Sequence, residues 1–262
     1  MHLHQQNNMN YVVSGQGPSI ILIHGLFGNL DNLKNLAQHL ETDYQVIRID
    51  LPNHGASPHI DNLNFDIISQ QLLTVFNELH IEKAHFVGHS LGGKAAMAFA
   101  LNNSNKCLSV IAADIAPAKY PRRHDSVFNA LTSLPLNQGS DRKAALQHLV
   151  SSGIETPTAQ FLLKNLQRND TGFTWKMNLQ GLLNSYETLI DWPYQRIQYT
   201  GPCLFIRGGN SDYITQEHRQ DILSQFPKVQ AKTIHETGHW LHAEKPMVFN
   251  RIVKEFIDSQ NQ

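Results

Sequence analysis

The sequence predicts an α/β protein in which a mostly parallel central sheet is flanked by helices and carries an inserted helical cap. Short apolar runs alternate with longer segments of helical periodicity along most of the chain. That alternation is typical of right-handed βαβ units in a parallel sheet. One long stretch, residues 117–200, lacks a convincing buried strand and breaks the alternation. We therefore predict a core formed by residues 1–116 and 201–262, and a cap formed by residues 117–200.

The elements of the core follow in order along the chain. The buried runs predict parallel strands at residues 18–25, 45–50, 84–88, 108–115, 203–207 and 229–234. Residues 10–14 predict an additional antiparallel edge strand. Apolar residues at helical spacing predict helices at residues 29–40, 66–79, 91–101 and 246–257. The last of these begins at a proline, which the first turn of a helix accepts because no hydrogen bond from its nitrogen is needed there.

The segment 117–200 is too long to be a plain connecting loop in a compact domain. It contains four stretches that predict helices, at residues 123–134, 141–151, 158–167 and 179–190. The alternative to a cap is a set of extra helices on the flank of the sheet. We favour a cap over the carboxyl ends of the strands, where α/β sheets bind their ligands.

Composition excludes several classes of protein. With 21 Lys and Arg against 22 Asp and Glu the formal charge is −1, which disfavours a nucleic-acid partner because binding to phosphates requires clustered positive charge. Two cysteines do not form a disulfide framework. The sequence shows no secretory signal, and its apolar runs are shorter than the roughly 18 residues of a membrane span. We expect a cytoplasmic protein.

Residues 88–92 read G-H-S-L-G, which matches the G-x-S-x-G pattern of a nucleophile elbow. A predicted strand precedes the motif and a helix rich in Ala and Gly follows it, as the motif requires. The turn would raise the Ser90 hydroxyl above the sheet, beside a helix N-terminus that favours developing negative charge. Ser90 is therefore the predicted nucleophile.

Residues 24–28 read H-G-L-F-G and follow an earlier buried strand. A loop at this place presents a backbone N–H to the oxygen that becomes negative during acyl transfer. We predict the N–H groups of Leu26 and Leu91 as the two donors of this oxyanion hole. We expect Phe27, His89 and Trp240 to contact the substrate.

A serine hydroxyl needs a base whose pKa is near 7, which points to histidine. Among 15 histidines, position selects His239, which lies late in the chain, after a strand and before the final helix. Residues 235–239 also match the zinc pattern H-E-x-x-H. That site needs a helix, which Thr237 and Gly238 disfavour, so we predict no metal.

The acid that orients His239 has two candidates in the order Ser, Asp, His. Asp114 ends the strand after the nucleophile strand, and Asp212 follows the next strand. The residues alone do not separate them.

Together these segments resemble those of α/β-hydrolase-fold serine esterases, and more narrowly the bacterial YbfF-type esterase branch. The narrower resemblance rests on G-G-K at residues 92–94, D-I-A-P at 114–117 and G-G-N-S at 208–211. In this branch the acid matching Asp114 is usual, and a serine matching Ser211 often lies near the histidine where other hydrolases keep an acid. The present sequence departs from the branch by also carrying Asp212. The resemblance implies Asp114 as the acid, with Asp212 as the alternative and Ser211 as a hydrogen-bonding neighbour.

The resemblance implies a carboxylic ester hydrolase acting on short to medium acyl chains, and on acyl-CoA thioesters as a further class. The expected partner is a small-molecule ester or thioester, and the triad needs no cofactor. Two alternatives remain. One is a hydrolase or lyase that cleaves carbon–carbon bonds with the same triad, because a fold does not fix its substrate. The other is a receptor that has kept the fold without catalysis.

Overall fold

The computed structural model describes residues 8–136, 141–170 and 172–261. Its strands, in chain order, are β1 (Tyr11–Ser14), β2 (Ser19–Ile23), β3 (Gln45–Ile49), β4 (Ala84–His89), β5 (Cys107–Ala113), β6 (Leu166–Asn169), β7 (Gly172–Trp175), β8 (Cys203–Gly208) and β9 (Val229–Ile234). Its α-helices are α1 (Lys34–Leu40), α2 (Phe65–Glu78), α3 (Leu91–Asn102), α4 (Asp125–Thr132), α5 (Arg142–Ser151), α6 (Thr156–Leu163), α7 (Leu179–Ile190), α8 (Arg219–Gln225), α9 (Leu241–Glu244) and α10 (Pro246–Asp258).

Seven strands form the central sheet in the order β1-β3-β2-β4-β5-β8-β9. Only β1 runs antiparallel, paired with β3, and every other neighbouring pair in this sheet is parallel. The predicted edge strand and the predicted parallel strands are therefore present. Because β4 and β5 lie at the centre, the residues that follow them meet at the carboxyl edge of the sheet.

The sheet separates two apolar cores because side chains alternate between its faces. In β2, Ile20 and Leu22 pack with α1 and α10, whereas Ile21 and Ile23 pack on the opposite face with α2 and α3. Helix α3 is buried at every position from Leu91 to Leu101. Burial on all sides explains why this helix is rich in Ala and Gly and shows little polar periodicity.

In the described part of the chain between β5 and β8 lie the helices α4 to α7 and the β6–β7 hairpin. Their apolar side chains join the same core as α2 and α3. The division of the chain into a core and a cap of residues 117–200 remains a prediction.

The predicted helix 158–167 is wrong at its end. The observed helix α6 stops at Leu163, and β6 of the hairpin begins at Leu166. The Asn165 side-chain amide donates to the carbonyl of Leu162 at 3.3 Å, and bonds of this kind compete with helix continuation. The predicted helix 29–40 is also divided, into a 3₁₀ turn at Leu30–Leu33 followed by α1.

Candidate active site

Ser90 occupies a strained turn between β4 and α3. Its φ angle is +53°, which costs energy for a residue with a side chain and is typical of a nucleophile elbow. The Ser90 N–H donates to the carbonyl of Ala113 at 3.0 Å, which fixes the turn to β5. A Cβ atom at Gly88 would meet the carbonyl oxygen of Gly92, and one at Gly92 would meet the backbone of β2. The two glycines of the motif therefore permit this close packing.

Asp114 follows β5 directly and is fully buried, with 0% of its side chain exposed. Its N–H continues the sheet ladder to the carbonyl of Ile206 at 2.8 Å. The carboxylate accepts three hydrogen bonds, from the Gly208 N–H at 3.0 Å, from the Ser211 hydroxyl, and from His239 Nδ1 at 2.8 Å. Both oxygens of the carboxylate are therefore held by hydrogen bonds, one of them to His239.

His239 lies in the connection between β9 and α9. Its ring stacks on Tyr213 with centroids 3.7 Å apart, and its Nδ1 faces Asp114. The His89 Nε2 donates to the His239 carbonyl at 2.7 Å. The ring and the backbone of His239 are thus both held, and Nε2 is the ring nitrogen not bonded to Asp114.

Asp212 takes a different position. Its side chain is 75% exposed, and it pairs with Arg123 Nη1 at 2.7 Å. The Arg123 guanidinium lowers the pKa of Asp212. Ser211, next to it, donates to Asp114 and accepts from the Tyr213 N–H at 3.2 Å. The structure therefore brings Asp114 and Ser211 to His239, and leaves Asp212 at the surface.

The loop after β2 leaves the Leu26 N–H free of a hydrogen-bond acceptor among the residues that the structure describes. The Phe27 N–H donates to His54 Nε2 at 3.1 Å and the Gly28 N–H donates within the loop at 3.0 Å. The Asn165 amide donates to the Phe27 carbonyl at 2.6 Å. The Leu26 N–H has no partner within residues 8–136, 141–170 and 172–261. Phe27 has φ +61°, and the bonds on either side of it hold this conformation.

Leu91 is the first residue of α3. The N–H groups of a helix's first turn have no intrahelical acceptor, and they carry the positive end of the helix dipole. Leu91 borders a small apolar pocket together with Ser90 and Leu26. The residues of the two predicted oxyanion donors therefore border the same pocket as Ser90.

A cleft of about 440 Å³ opens over Ser90. It brings together the predicted site residues that lie on different elements: Leu26, Phe27, His89, Ser90, His239 and Trp240. Phe27 is buried to 3% exposure and packs edge-on against Phe128. Trp240 contacts the ring of Phe161 from α6, with centroids 5.6 Å apart. The opposite wall thus comes from the segment between β5 and β8.

Residues 18–246 match the family model described as the alpha/beta hydrolase fold. The chain belongs to the α/β hydrolase family. It is similar to the esterase YbfF of Escherichia coli strain K12, with 38% identity covering 91% of this chain and 92% of that protein. It is also similar to the mouse protein named sn-1-specific diacylglycerol lipase ABHD11, with 35% identity covering 92% and 81%.

A solved structure described as a marine microorganism esterase superposes on this hydrolase with a TM-score of 0.92 and 32% identity, covering 96% of this chain and all of that chain. These comparisons confirm the predicted fold, the resemblance to the YbfF-type branch and the predicted class of enzyme, a carboxylic ester hydrolase. Such relatives indicate a small-molecule substrate. Within the described parts of the chain no helix is long and apolar enough to cross a membrane.

Two histidines at the cleft of the hydrolase were not predicted from the sequence. His124 and His242 both border it, and burial, with the charge of His239, lowers the pKa of each to about 4. His124 Nδ1 bonds the Tyr186 hydroxyl at 2.7 Å. His124 lies outside the sequence motifs, and His242 lies in the segment after His239, where the sequence analysis assigned it no role.

His89 is more buried than its predicted contact with substrate requires, at 5% exposure. Burial first, and then the charges of His242 and His239, lower its pKa well below the ordinary value. A neutral ring with Nε2 protonated suits the bond to the His239 carbonyl. His89 borders the cleft and supports His239, and its direct contact with substrate remains a prediction.

The zinc pattern at residues 235–239 does not lie on a helix. The segment is a turn, with Glu236 at φ +56°, so its two histidines do not share a helix face. The Glu236 carboxylate instead pairs with Lys245 Nζ at 2.8 Å. Across the residues that the structure describes, no group of three or more His, Cys, Asp or Glu side chains is arranged to hold a metal ion.

Proposed function

We propose that the hydrolase cleaves carboxylic esters through Ser90 as nucleophile, His239 as general base and Asp114 as the orienting acid. The observation that carries this proposal is the 2.8 Å bond from His239 Nδ1 to the buried carboxylate of Asp114. His239 and Ser90 border the same cleft, and this supports their action on one substrate.

Asp114 sets the tautomer of His239. As an acceptor it requires the proton on Nδ1, which leaves Nε2 free to take a proton from the Ser90 hydroxyl. The Ser90 oxygen then attacks the ester carbonyl, and the carbonyl oxygen becomes negative. The N–H groups of Leu26 and Leu91 stabilise that oxyanion.

The tetrahedral intermediate collapses when the alcohol leaves with the proton held by His239. An acyl group remains on Ser90. Water, deprotonated by the same histidine, attacks this acyl-enzyme, and Ser90 recovers its proton as the carboxylic acid departs. The residues of the chain supply each of these steps without a metal or an organic cofactor.

Thioesters, including acyl-CoA, form a further class of proposed substrate. The same oxyanion develops during their cleavage, and a thiolate is a better leaving group than an alkoxide. The outer rim of the cleft carries side chains of both signs, among them Asp31, Lys164 and Glu244. This polar rim is compatible with a leaving group that extends into solvent.

Residues 117–200 act as a cap in this proposal. Side chains of α4 and α6, including Val127 and Phe161, border the cleft opposite Ser90. The Asn178 amide donates to Asn53 Oδ1 at 3.0 Å, which ties the segment to the loop after β3. The cytoplasmic location belongs to the proposal as well, and it agrees with two buried free thiols at Cys107 and Cys203.

Hydrolysis of p-nitrophenyl butyrate, combined with labelling by a fluorophosphonate, tests the proposal. Wild type should turn over the ester and take one label on the peptide that carries Ser90, whereas Ser90→Ala should lose both. Ser224→Ala, which changes an exposed serine on α8, should behave as wild type. A folded wild type that neither turns over esters nor takes the label would favour the receptor alternative. Labelling without ester turnover would favour carbon–carbon cleavage.

A further inference from the structure

Two pockets meet at Ser90. The outer cleft is the 440 Å³ space described above. A second, smaller space of about 40 Å³, the inner pocket, is bordered by Leu91, Ile115, Tyr120, Tyr186, Leu189, Ile190 and Tyr213, among others. Ser90, Leu26 and His124 border both spaces. An ester at Ser90 can therefore place its acyl chain in one of these spaces and its alcohol in the other.

The position of His239 decides which pocket holds the leaving group and which holds the acyl chain. His239 borders the outer cleft and is absent from the lining of the inner pocket. Tyr213, which borders the inner pocket, stacks against its ring at 3.7 Å. The leaving oxygen must lie within hydrogen-bond reach of the histidine that protonates it. The leaving group therefore occupies the outer cleft, and the acyl chain points into the inner pocket.

The size of the inner pocket limits the acyl chain. One water molecule needs roughly 10–15 Å³ of such space, so a 40 Å³ pocket holds about three groups of that size. The carbonyl carbon itself stays at Ser90. The pocket thus accommodates chains up to about the length of a butanoyl group.

The charged groups that border the inner pocket are already bonded elsewhere. Lys94 Nζ donates to the carbonyls of Ile190 and Asp191, each at 2.8 Å. Arg123 pairs with the carboxylate of Asp212 at 2.7 Å. The remaining wall is mainly aliphatic and aromatic. An apolar chain suits this environment because burying a second, unpaired charge there would be costly.

We propose that the inner pocket is the acyl site and that it restricts the hydrolase to apolar acyl groups of about two to four carbons, while the much larger outer cleft accepts leaving groups of very different sizes. This inference rests on the proposed function, since it assumes an acyl group on Ser90. The proposed substrates of the hydrolase are accordingly short-chain esters of large or small alcohols.

Two series of esters test the inference. In the first, p-nitrophenyl esters of acetate, butyrate, hexanoate and octanoate are compared by kcat/KM. We expect butyrate to exceed octanoate at least about tenfold, because one methylene beyond the pocket costs about that factor or more. In the second, acetates of alcohols from ethanol to naphthol should differ mainly through the reactivity of the leaving group. Equal rates from acetate to octanoate would overturn the inference while leaving the esterase in place. Absence of turnover on every ester would overturn the proposed function as well.

Matched variants of the two pockets test which of them selects the acyl chain. Ile190→Ala enlarges the inner pocket and should raise the rate on hexanoate relative to butyrate by several-fold. Val127→Ala, a partly buried aliphatic residue of the outer cleft, should leave the acyl profile unchanged. Leu189→Phe fills the inner pocket and should favour acetate over butyrate, so the inference stays testable if Ile190→Ala misfolds. A shift of the acyl profile by Val127→Ala alone would place the acyl chain in the outer cleft.

Faster cleavage of p-nitrophenyl hemisuccinate than of the butyrate would overturn the apolar assignment and indicate an acidic acyl chain near Lys94.

Discussion

Asp114→Asn tests the orientation of the general base more sharply than any other change in the site. In wild type the carboxylate accepts from Gly208, Ser211 and His239. Asparagine keeps one oxygen and replaces the other with a donor. If the amide nitrogen faces His239, that histidine must accept through Nδ1 and carry its proton on Nε2, where it can no longer take the proton of Ser90. If the amide is flipped, its nitrogen faces the Gly208 N–H. Both groups are donors, so the buried Gly208 N–H is left without an acceptor.

The magnitude follows from these two orientations. The wrong tautomer costs about 10⁴-fold in kcat, or roughly 5 kcal/mol of transition-state stabilisation. The flipped orientation costs the fold about 1–3 kcal/mol for an unsatisfied buried donor. For a chain of this size, that lowers Tm by a few degrees up to about 10 °C. We therefore expect a folded protein with a large loss of kcat.

The assay is hydrolysis of p-nitrophenyl butyrate, with the melting temperature measured on the same samples. Asp212→Asn serves as the matched control, because it removes only a pair with Arg123 in which the carboxylate is 75% exposed. Such pairs contribute about 0–1 kcal/mol, so activity should stay within about twofold of wild type. The reasoning is refuted if Asp212→Asn loses activity by orders of magnitude while Asp114→Asn retains a tenth or more.

Three further outcomes are expected. His89→Phe keeps a ring but removes the bond to the His239 carbonyl, so kcat for the same ester should fall about tenfold with KM unchanged; a higher KM at constant kcat would support the predicted substrate contact instead. Asn165→Ala frees the Phe27 carbonyl and loosens the oxyanion loop, so kcat should fall about tenfold, less than the 10²–10³ of a lost donor, and an unchanged kcat would contradict this role. Burial and the neighbouring histidine lower the pKa of His54 to about 3, so the unfolded chain binds the extra proton between pH 6.5 and 3. The stability from this group is complete above pH 6.5 and lost toward pH 3. Tm should therefore fall less steeply in His54→Gln than in wild type between pH 6.5 and 4, and equal slopes would count against this assignment.

The parts of the fold that follow from local pattern could be predicted from the sequence. The buried strand β2 is an almost continuous apolar run, and β4 is a mainly apolar run with a glycine near its end. The β6–β7 hairpin could not be predicted, because α6 ends where a side chain bonds across to another element. Asn165 donates both to Leu162 and to the Phe27 carbonyl. The second of these partners lies far away in the sequence.

The same distinction applies to the candidate site. Ser90 and His239 lie in short motifs whose context is local, and the structure brings both to one cleft. The acid could not be chosen from the sequence, since both aspartates follow buried strands. What separates them is a backbone angle and a distant partner: Asp114 has φ +51°, and Asp212 is held at the surface by Arg123 from the segment before α4.

The chain has 15 histidines, and those near the site differ in burial and in pKa. Burial lowers the pKa of His24, His124 and His242 to about 4, and that of His89 well below the ordinary value. These rings surround the site as neutral groups, because protonating any of them would place an unpaired charge in a poorly hydrated space. His239 differs in its hydrogen bond to the carboxylate of Asp114. A proton taken from Ser90 during attack therefore stays on the ring of His239, because burial disfavours a charge on the neighbouring rings. The apolar burial of the surrounding histidines thus helps to confine the proton to the one base that can return it to the leaving group.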